Sequence, residues 1–181
     1  MSHFIRINNR IVVVMNLRRT ETKDIKRVLE IYEEGRSSLR EDGVDQWQDE
    51  GPTLNSLKLD MERGYSYVLE DRGEVLGTLA IVEGVEPTYL KIKGRWLNQR
   101  PYITIHRFVV SKSSKNRGFG KLMFHESEQL AKTKGITSIR VDTHNDNLKM
   151  NSLLISLGYL YCGIITLDNG DLRNAYHKEV L

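Results

Sequence analysis

The chain has 181 residues, of which 39% are hydrophobic and 28% charged, and its formal net charge is +3. That length suits a single domain over 1–181 with a sizeable core. The charge is too small to argue for a nucleic-acid partner, and no apolar run approaches the ~20 residues that cross a membrane. Cys162 is the single cysteine, which rules out an intrachain disulfide and a multi-cysteine zinc site and fits a cytoplasmic setting with no metal.

In chain order, residues 1–10 read as a polar, irregular extension, with Asn8-Asn9-Arg10 as a turn signal. Ile11 to Arg18 is the first expected strand, and its apolar run is too short for a signal-peptide core. A second reading opens that strand at Met15. Thr22 is placed to cap a helix reaching about Ser37, with Ile25, Val28, Leu29 and Tyr32 on one face. A polar loop from Glu41 to Pro52 carries Gln46 and Trp47. Thr53 then caps a short helix with Leu54, Leu57 and Met61. Tyr65 to Glu70 and Val75 to Val82 read as strands joined by the hairpin signal Asp71-Arg72-Gly73-Glu74. Glu83 to Arg100 is loop-like, with Tyr89 and Trp96 as its large residues, and an insertion of that length is often functional.

Next comes a buried strand, Ile105 to Val110, then the polar loop Ser111 to Gly120 and an amphipathic helix. Phe119, Leu122, Met123, Leu130 and Ala131 share one face of that helix, and Gly135 ends it. Ser138 to Thr143 alternates as a strand, and Asn147 to Leu157 reads as a helix with Gly158 past its end. Tyr159 to Leu167 and Leu172 to Val180 flank Asp168-Asn169-Gly170-Asp171, a strong hairpin signal. The order β-α-α-β-β-β-α-β-α-β-β implies an α/β (α+β) domain, a mixed sheet with helices on its faces.

The loop before the long second-half helix is a ready anion site. The first N–H groups of a helix lack partners within it, and the helix dipole favours negative charge there. Gly118 and Gly120 carry no Cβ, so a phosphate would approach the backbone closely, and Lys115, Arg117 and Lys121 add positive charge. The lysine–hydroxyl ending of a nucleotide-triphosphate loop is missing, as is the Gly-x-Gly-x-x-Gly spacing of a dinucleotide site. What remains is Lys-x-x-Gly-x-Gly after a strand.

On these residues the chain resembles the GNAT superfamily of N-acetyltransferases. The resemblance spans residues 11–181 through the element order. It is sharpest at Val109-Val110 and Lys115-Asn116-Arg117-Gly118-Phe119-Gly120-Lys121-Leu122, similar to the family's Gln/Arg-x-x-Gly-x-Gly/Ala turn, with Lys115 in the first position. Asn147 followed by Leu157-Gly158-Tyr159 is similar to a second family segment. The resemblance implies a mostly antiparallel sheet of six to seven strands with helices on both faces. It implies acetyl-CoA as cosubstrate, its pyrophosphate on the amides of Lys115 to Lys121, its acetyl and pantetheine portions along Phe108, Val109 and Val110, and a contact from Asn147. It implies a small-molecule amine as acceptor. Edge strands in this fold often pair between subunits, so a homodimer is one expected state.

Acetyl transfer to an amine needs the amine to lose a proton, the oxyanion to find donors and the thiolate to leave. A positioned base contributes ~10²–10⁴-fold. His106 is the favoured base, two residues before Phe108, because an imidazole with an unperturbed pKa near ~6.5 suits proton removal at neutral pH. Its competing reading is a hydrogen-bonded structural histidine, and Glu83, Glu86 and His144 are weaker candidates. The Val109 or Val110 amide would serve the oxyanion by analogy. Where many family members carry a tyrosine as general acid, this chain has Leu154, so Tyr161 and its neighbour Tyr159 are the candidate replacements. Cys162 lies in a late strand, a poor site for an acyl-enzyme, which favours direct transfer in a ternary complex. Gln46, Trp47 and Trp96 would build the acceptor site, although tryptophans in long loops also serve as anchors to the core. The missing tyrosine keeps a non-catalytic acyl-CoA-binding or sensing module as the alternative.

Overall fold

A computed structural model describes residues 3–5, 13–49 and 51–180. The strands are β1 (His3–Ile5), β2 (Val13–Arg19), β3 (Ser66–Asp71), β4 (Glu74–Glu83), β5 (Lys93–Gly94), β6 (Ile103–Val110), β7 (Ser138–Thr143), β8 (Leu160–Thr166) and β9 (Leu172–Glu179). The helices are α1 (Ile25–Glu41), α2 (Leu54–Glu62), α3 (Phe119–Thr133) and α4 (Leu148–Ser156). The strands form one sheet in the order β1-β2-β3-β4-β6-β7-β9-β8-β5. Neighbours run antiparallel except β6 and β7, which are parallel.

Among the described residues nine strands stand where six or seven are expected. Both additions are short and fall in segments read as irregular. His3–Ile5 pairs with Val13–Met15 inside the expected extension, while residues 1, 2 and 6–12 lie outside the described residues. Lys93–Gly94 pairs with Gly163–Ile164, and a 3-10 turn at Pro87–Lys91 precedes it. Among the described residues no helix is long and apolar enough to cross a membrane.

Helix starts follow local chemistry. Thr53 caps α2 as expected: its hydroxyl accepts the Ser56 N–H at 3.2 Å, and the Ser56 hydroxyl accepts the Thr53 N–H at 2.8 Å. Thr22 does not cap the first helix. Glu21 opens a 3-10 turn in a capping box with Asp24, and α1 continues to Glu41 rather than Ser37. Asp24 also takes the Arg18 guanidinium at 2.6 Å, which ties the helix start to β2.

Strand alternation divides the core in two. Val28, Ile31, Tyr32 and Leu57 of α1 and α2 cover Val68, Val75 and Val109 on one face. Met123, Phe124 and Leu154 of α3 and α4 cover Leu69, Leu79, Ile103 and Ile105 on the other. Along β6 the alternation changes phase: Ile103 and Ile105 face α3, and so do Phe108 and Val110. The cause is a bulge, where the β4–β6 register shifts between Thr78 and Ala80 and Arg107 takes a left-handed φ of 53°. Arg107 is held there by the buried Asp60 carboxylate of α2 at 3.1 Å.

A third cluster sits under the 83–102 segment. Tyr89, Trp96, Tyr102, Cys162, Ile165 and Ala175 are buried together. The Arg140 guanidinium lies over the rings of Trp96 (4.3 Å) and Tyr102 (3.8 Å) and donates to the Asn98 carbonyl at 2.8 Å. The buried His177 accepts the Leu97 N–H on Nδ1 at 3.2 Å. Burial, then the Arg140 charge, pushes its pKa down to about 4 from 6.5. The folded chain therefore favours neutral imidazole, while the unfolded chain takes a proton near 6.5. Stability from this group is whole above pH 6.5 and drains away as pH falls toward about 4, by roughly 2–3 kcal/mol. Urea midpoints of the parent should fall more between those pH values than midpoints of His177→Gln, in which nothing titrates at that position.

Candidate active site

The site forms where two neighbouring strands part. β6 and β7 pair only at Ile103↔Ile139 and Thr104↔Arg140, then diverge. A cleft of about 1070 Å³ opens between them, lined by residues 105–110 of β6 and 141–143 of β7. Beyond the bulge, Ser111 N–H donates to the Leu76 carbonyl at 2.8 Å. Alternation then turns the Val109 amide toward β4 and the Val110 amide toward the open edge. Of the two expected oxyanion donors, Val110 is the one whose N–H faces the cleft.

At one end of the cleft stands the loop before α3. Asn116 (φ 61°) and Gly118 (φ 82°) both take left-handed backbone, which Gly adopts freely and Asn tolerates. Gly118 is the residue before the helix, and no side chain caps it. The first-turn N–H groups thus have no side-chain acceptor at the cap, and the residues that carry them line the cleft. A Cβ on Gly120 would stand 3.2 Å from the Phe108 ring, so its absence lets the loop close onto β6. Lys115, Asn116, Gly118, Phe119, Gly120 and Lys121 all line the cleft. Arg117 does not: it lies over the Phe119 ring at 4.8 Å. Lys115 donates to the Ser38 hydroxyl at 2.6 Å, and partial burial, with Lys149 nearby, pulls its pKa down.

Further along β6, His106 faces the cleft between two carboxylates. Its Nε2 is 3.4 Å from Glu86 Oε2, and its Nδ1 is 4.0 Å from Asp142 Oδ1 on β7. The imidazole beside it holds the Glu86 carboxyl below the usual carboxylate range, against the opposing effect of burial. Among the described residues no group of three or more His, Cys, Asp or Glu side chains is placed to hold a metal ion.

Opposite β6, the loop between α1 and α2 leans over the cleft. Gln46 Oε1 accepts the Asn147 side-chain amide at 3.1 Å and the His144 N–H at 3.4 Å, which laces that loop to the start of α4. Trp47, at a left-handed φ of 68°, meets Tyr32 edge-on and covers Gly35, where a Cβ would stand 3.3 Å from the indole. Asn147 lines the cleft with both polar atoms engaged: Oδ1 caps α4 at the Met150 N–H (3.1 Å), and Nδ2 meets Gln46.

The model of the Acetyltransferase (GNAT) family matches residues 27–159. The chain belongs to the GNAT family. A solved GNAT acetyltransferase from Streptococcus agalactiae 2603 is 30% identical, with a TM-score of 0.85 over 99% of this chain and 98% of that one. One from Listeria monocytogenes 4b F2365 is 21% identical, with a TM-score of 0.71 over 94% and 99%. The ribosomal-protein-S18-alanine N-acetyltransferase from Escherichia coli shares the fold at 12% identity, with a TM-score of 0.63 over 92% and 94%. No curated protein sequence matches the chain.

Besides Arg117, two further expected site residues of this GNAT chain stand outside the cleft. Trp96 is 4% exposed in the third core cluster, its indole N–H bonded to the Tyr89 carbonyl at 3.1 Å, and it does not line the cleft. Tyr161 is 56% exposed on β8, packed edge-on against Tyr176 and away from the cleft. Tyr159 is buried beneath Phe124, and Leu154 is buried in the main core. Among the described residues no tyrosine lines the cleft. Conversely, Asp142, Lys149 and Arg173 line it without having been singled out. For Asp142 a signal existed. It follows Arg140 on the polar phase of a strand whose apolar phase is Ile139 and Val141, in the middle of the sheet.

Proposed function

We propose that the chain is an N-acetyltransferase that passes acetyl from acetyl-CoA to a primary amine by direct transfer. The observation that carries this reading is the cleft itself, with an uncapped helix start at one end and an imidazole flanked by carboxylates further along. Acetyl-CoA supplies the activated acetyl group when bound. The amides of Gly118 to Lys121, with Lys115 and Lys121, would hold its pyrophosphate, and the open edge of Phe108 to Val110 would accept its arm. His106 would take a proton from the acceptor's ammonium, and the Val110 N–H would face the developing oxyanion.

Cys162 supports direct transfer. It is the chain's single thiol, it is buried in the third cluster with its pKa raised by burial, and it does not line the cleft. Departure of the thiol, with a pKa near ~8.5, does not demand a side-chain acid, which agrees with a cleft that no tyrosine among the described residues lines. The Gln46–Trp47 loop is the proposed wall of the acceptor site.

The test is release of free thiol from acetyl-CoA against a panel of alkylamines, amino acids, amine-bearing antibiotics and peptide N-termini. Turnover on at least one class is expected. Calorimetric binding of acetyl-CoA with no thiol released on any amine would replace the enzyme by an acyl-CoA-sensing module.

A further inference from the structure

The two carboxylates beside His106 are held in different ways. Asp142 has a side chain only 12% exposed, and its Oδ1 accepts the Tyr89 hydroxyl at 2.7 Å. Tyr89 is fully enclosed, its ring tilted against Trp96 (5.0 Å) and stacked with Tyr102 (6.3 Å). Glu86 is 26% exposed, and its carboxylate accepts the Thr88 hydroxyl at 3.2 Å and the Thr88 backbone N–H, with the imidazole 3.4 Å away. Its backbone N–H donates to the Tyr102 hydroxyl at 2.9 Å. One aromatic stack thus reaches both flanks of His106, but it grips only Asp142 by the carboxylate. Releasing that grip would leave a buried phenol unpaired, at a cost of about 1–3 kcal/mol.

An ammonium entering this end of the cleft needs hydrogen-bond acceptors. Nε2 and Glu86 Oε2 face one space, 3.4 Å apart. They act as two acceptors only if the ring keeps its proton on Nδ1, and an Nδ1–H group then needs an acceptor of its own. Asp142 stands on that side, 4.0 Å away. Such contacts are often long before substrate binds and tighten in the complex.

We propose that Asp142, fixed by the Tyr89 hydroxyl, is a positioning residue that keeps the His106 proton on Nδ1, so that Nε2 and the Glu86 carboxylate receive the acceptor's ammonium. The inference rests on the transferase reading above. In the step it serves, an ammonium N–H bond breaks, an Nε2–H bond forms and the amine keeps the electron pair, while Asp142 takes no proton. The charged groups around the ring are Glu86, Asp142, Arg107 of its own strand and Asp60 of α2. Arg107 and Asp60 already engage each other at 3.1 Å, which leaves the two flanking carboxylates to act on the imidazole.

Tyr89→Phe keeps the stacked ring and removes only the hydroxyl, and Asp142→Asn removes the charge. Both should lower kcat about tenfold or more, as misplacement of a reacting group does, with the KM for the amine within about twofold. Glu86→Gln should instead raise the KM for the amine. Nitrogen-15 NMR of the His106 imidazole in the resting protein should show the Nδ1–H tautomer, weakened in both variants. A parent ring protonated on Nε2, or an amine KM that rises in Tyr89→Phe with kcat unchanged, would overturn the assignment. The NMR readout needs no turnover. Absence of acetylation on every amine therefore overturns the transferase reading, while the tautomer separately decides the role of Asp142.

Discussion

Replacing His106 with alanine should lower turnover about 10²–10⁴-fold, the range for a positioned base. The substitution should leave the fold intact. His106 is only part-buried at the cleft wall, and its main-chain pairing with Ala80 does not involve the side chain. Acetyl-CoA affinity should barely change, because the α3 loop is built by other residues. The diagnostic reading is the pH–rate profile. A neutral imidazole must be present to accept the proton, so the parent profile should carry an acid limb. In His106→Ala that acid limb should vanish and leave a low, flatter profile. His106→Gln separates basicity from polarity, since its amide fills similar space and hydrogen-bonds without titrating. An unaltered profile in both variants would discard His106 and leave Glu86 as the base. Glu86 is less suited because its carboxyl is held below the usual range and is a weaker proton acceptor at neutral pH.

The parts of this site that could be read in the sequence are those set by local chemistry. Gly118 and Gly120 were legible as turn residues because a left-handed residue and a close approach to the preceding strand limit side chains within a few residues. Asn147 was legible for the same reason, as a helix cap. Trp96 was misplaced because its environment is made by Arg140 and His177, which reach it from β7 and β9. Nothing near residue 96 announces them. The bulge at Arg107 left no local mark either. A left-handed arginine has no sequence signature, and the carboxylate that steadies it, Asp60, comes from a helix far upstream. Asp142 became significant only when the parallel pairing of β6 and β7 brought it beside His106 and the 83–102 segment delivered Tyr89 beneath it.

Gly118→Asp should weaken acetyl-CoA binding by about 100-fold, near 3 kcal/mol, with little loss of stability. Two effects on the fold oppose each other. Asp at φ 82° carries a left-handed strain of about 1 kcal/mol. A carboxylate at the residue before a helix accepts the first-turn N–H groups and contributes about the same in return. A Cβ there meets nothing within 4 Å, so no neighbour has to move. The thermal midpoint should therefore stay near the parent's. Binding has no such compensation. The new carboxylate would occupy the same N–H groups that the pyrophosphate requires, and it would repel the phosphates as well. Gly118→Asn isolates the second part, because its amide caps the helix without charge, and it should cost less affinity than Asp. Pantetheine alone, which lacks the pyrophosphate, should bind parent and Gly118→Asp alike. Unchanged acetyl-CoA affinity in Gly118→Asp would sink the pyrophosphate assignment. Equal weakening of pantetheine would show instead that the variant had disturbed the strand edge rather than the anion site.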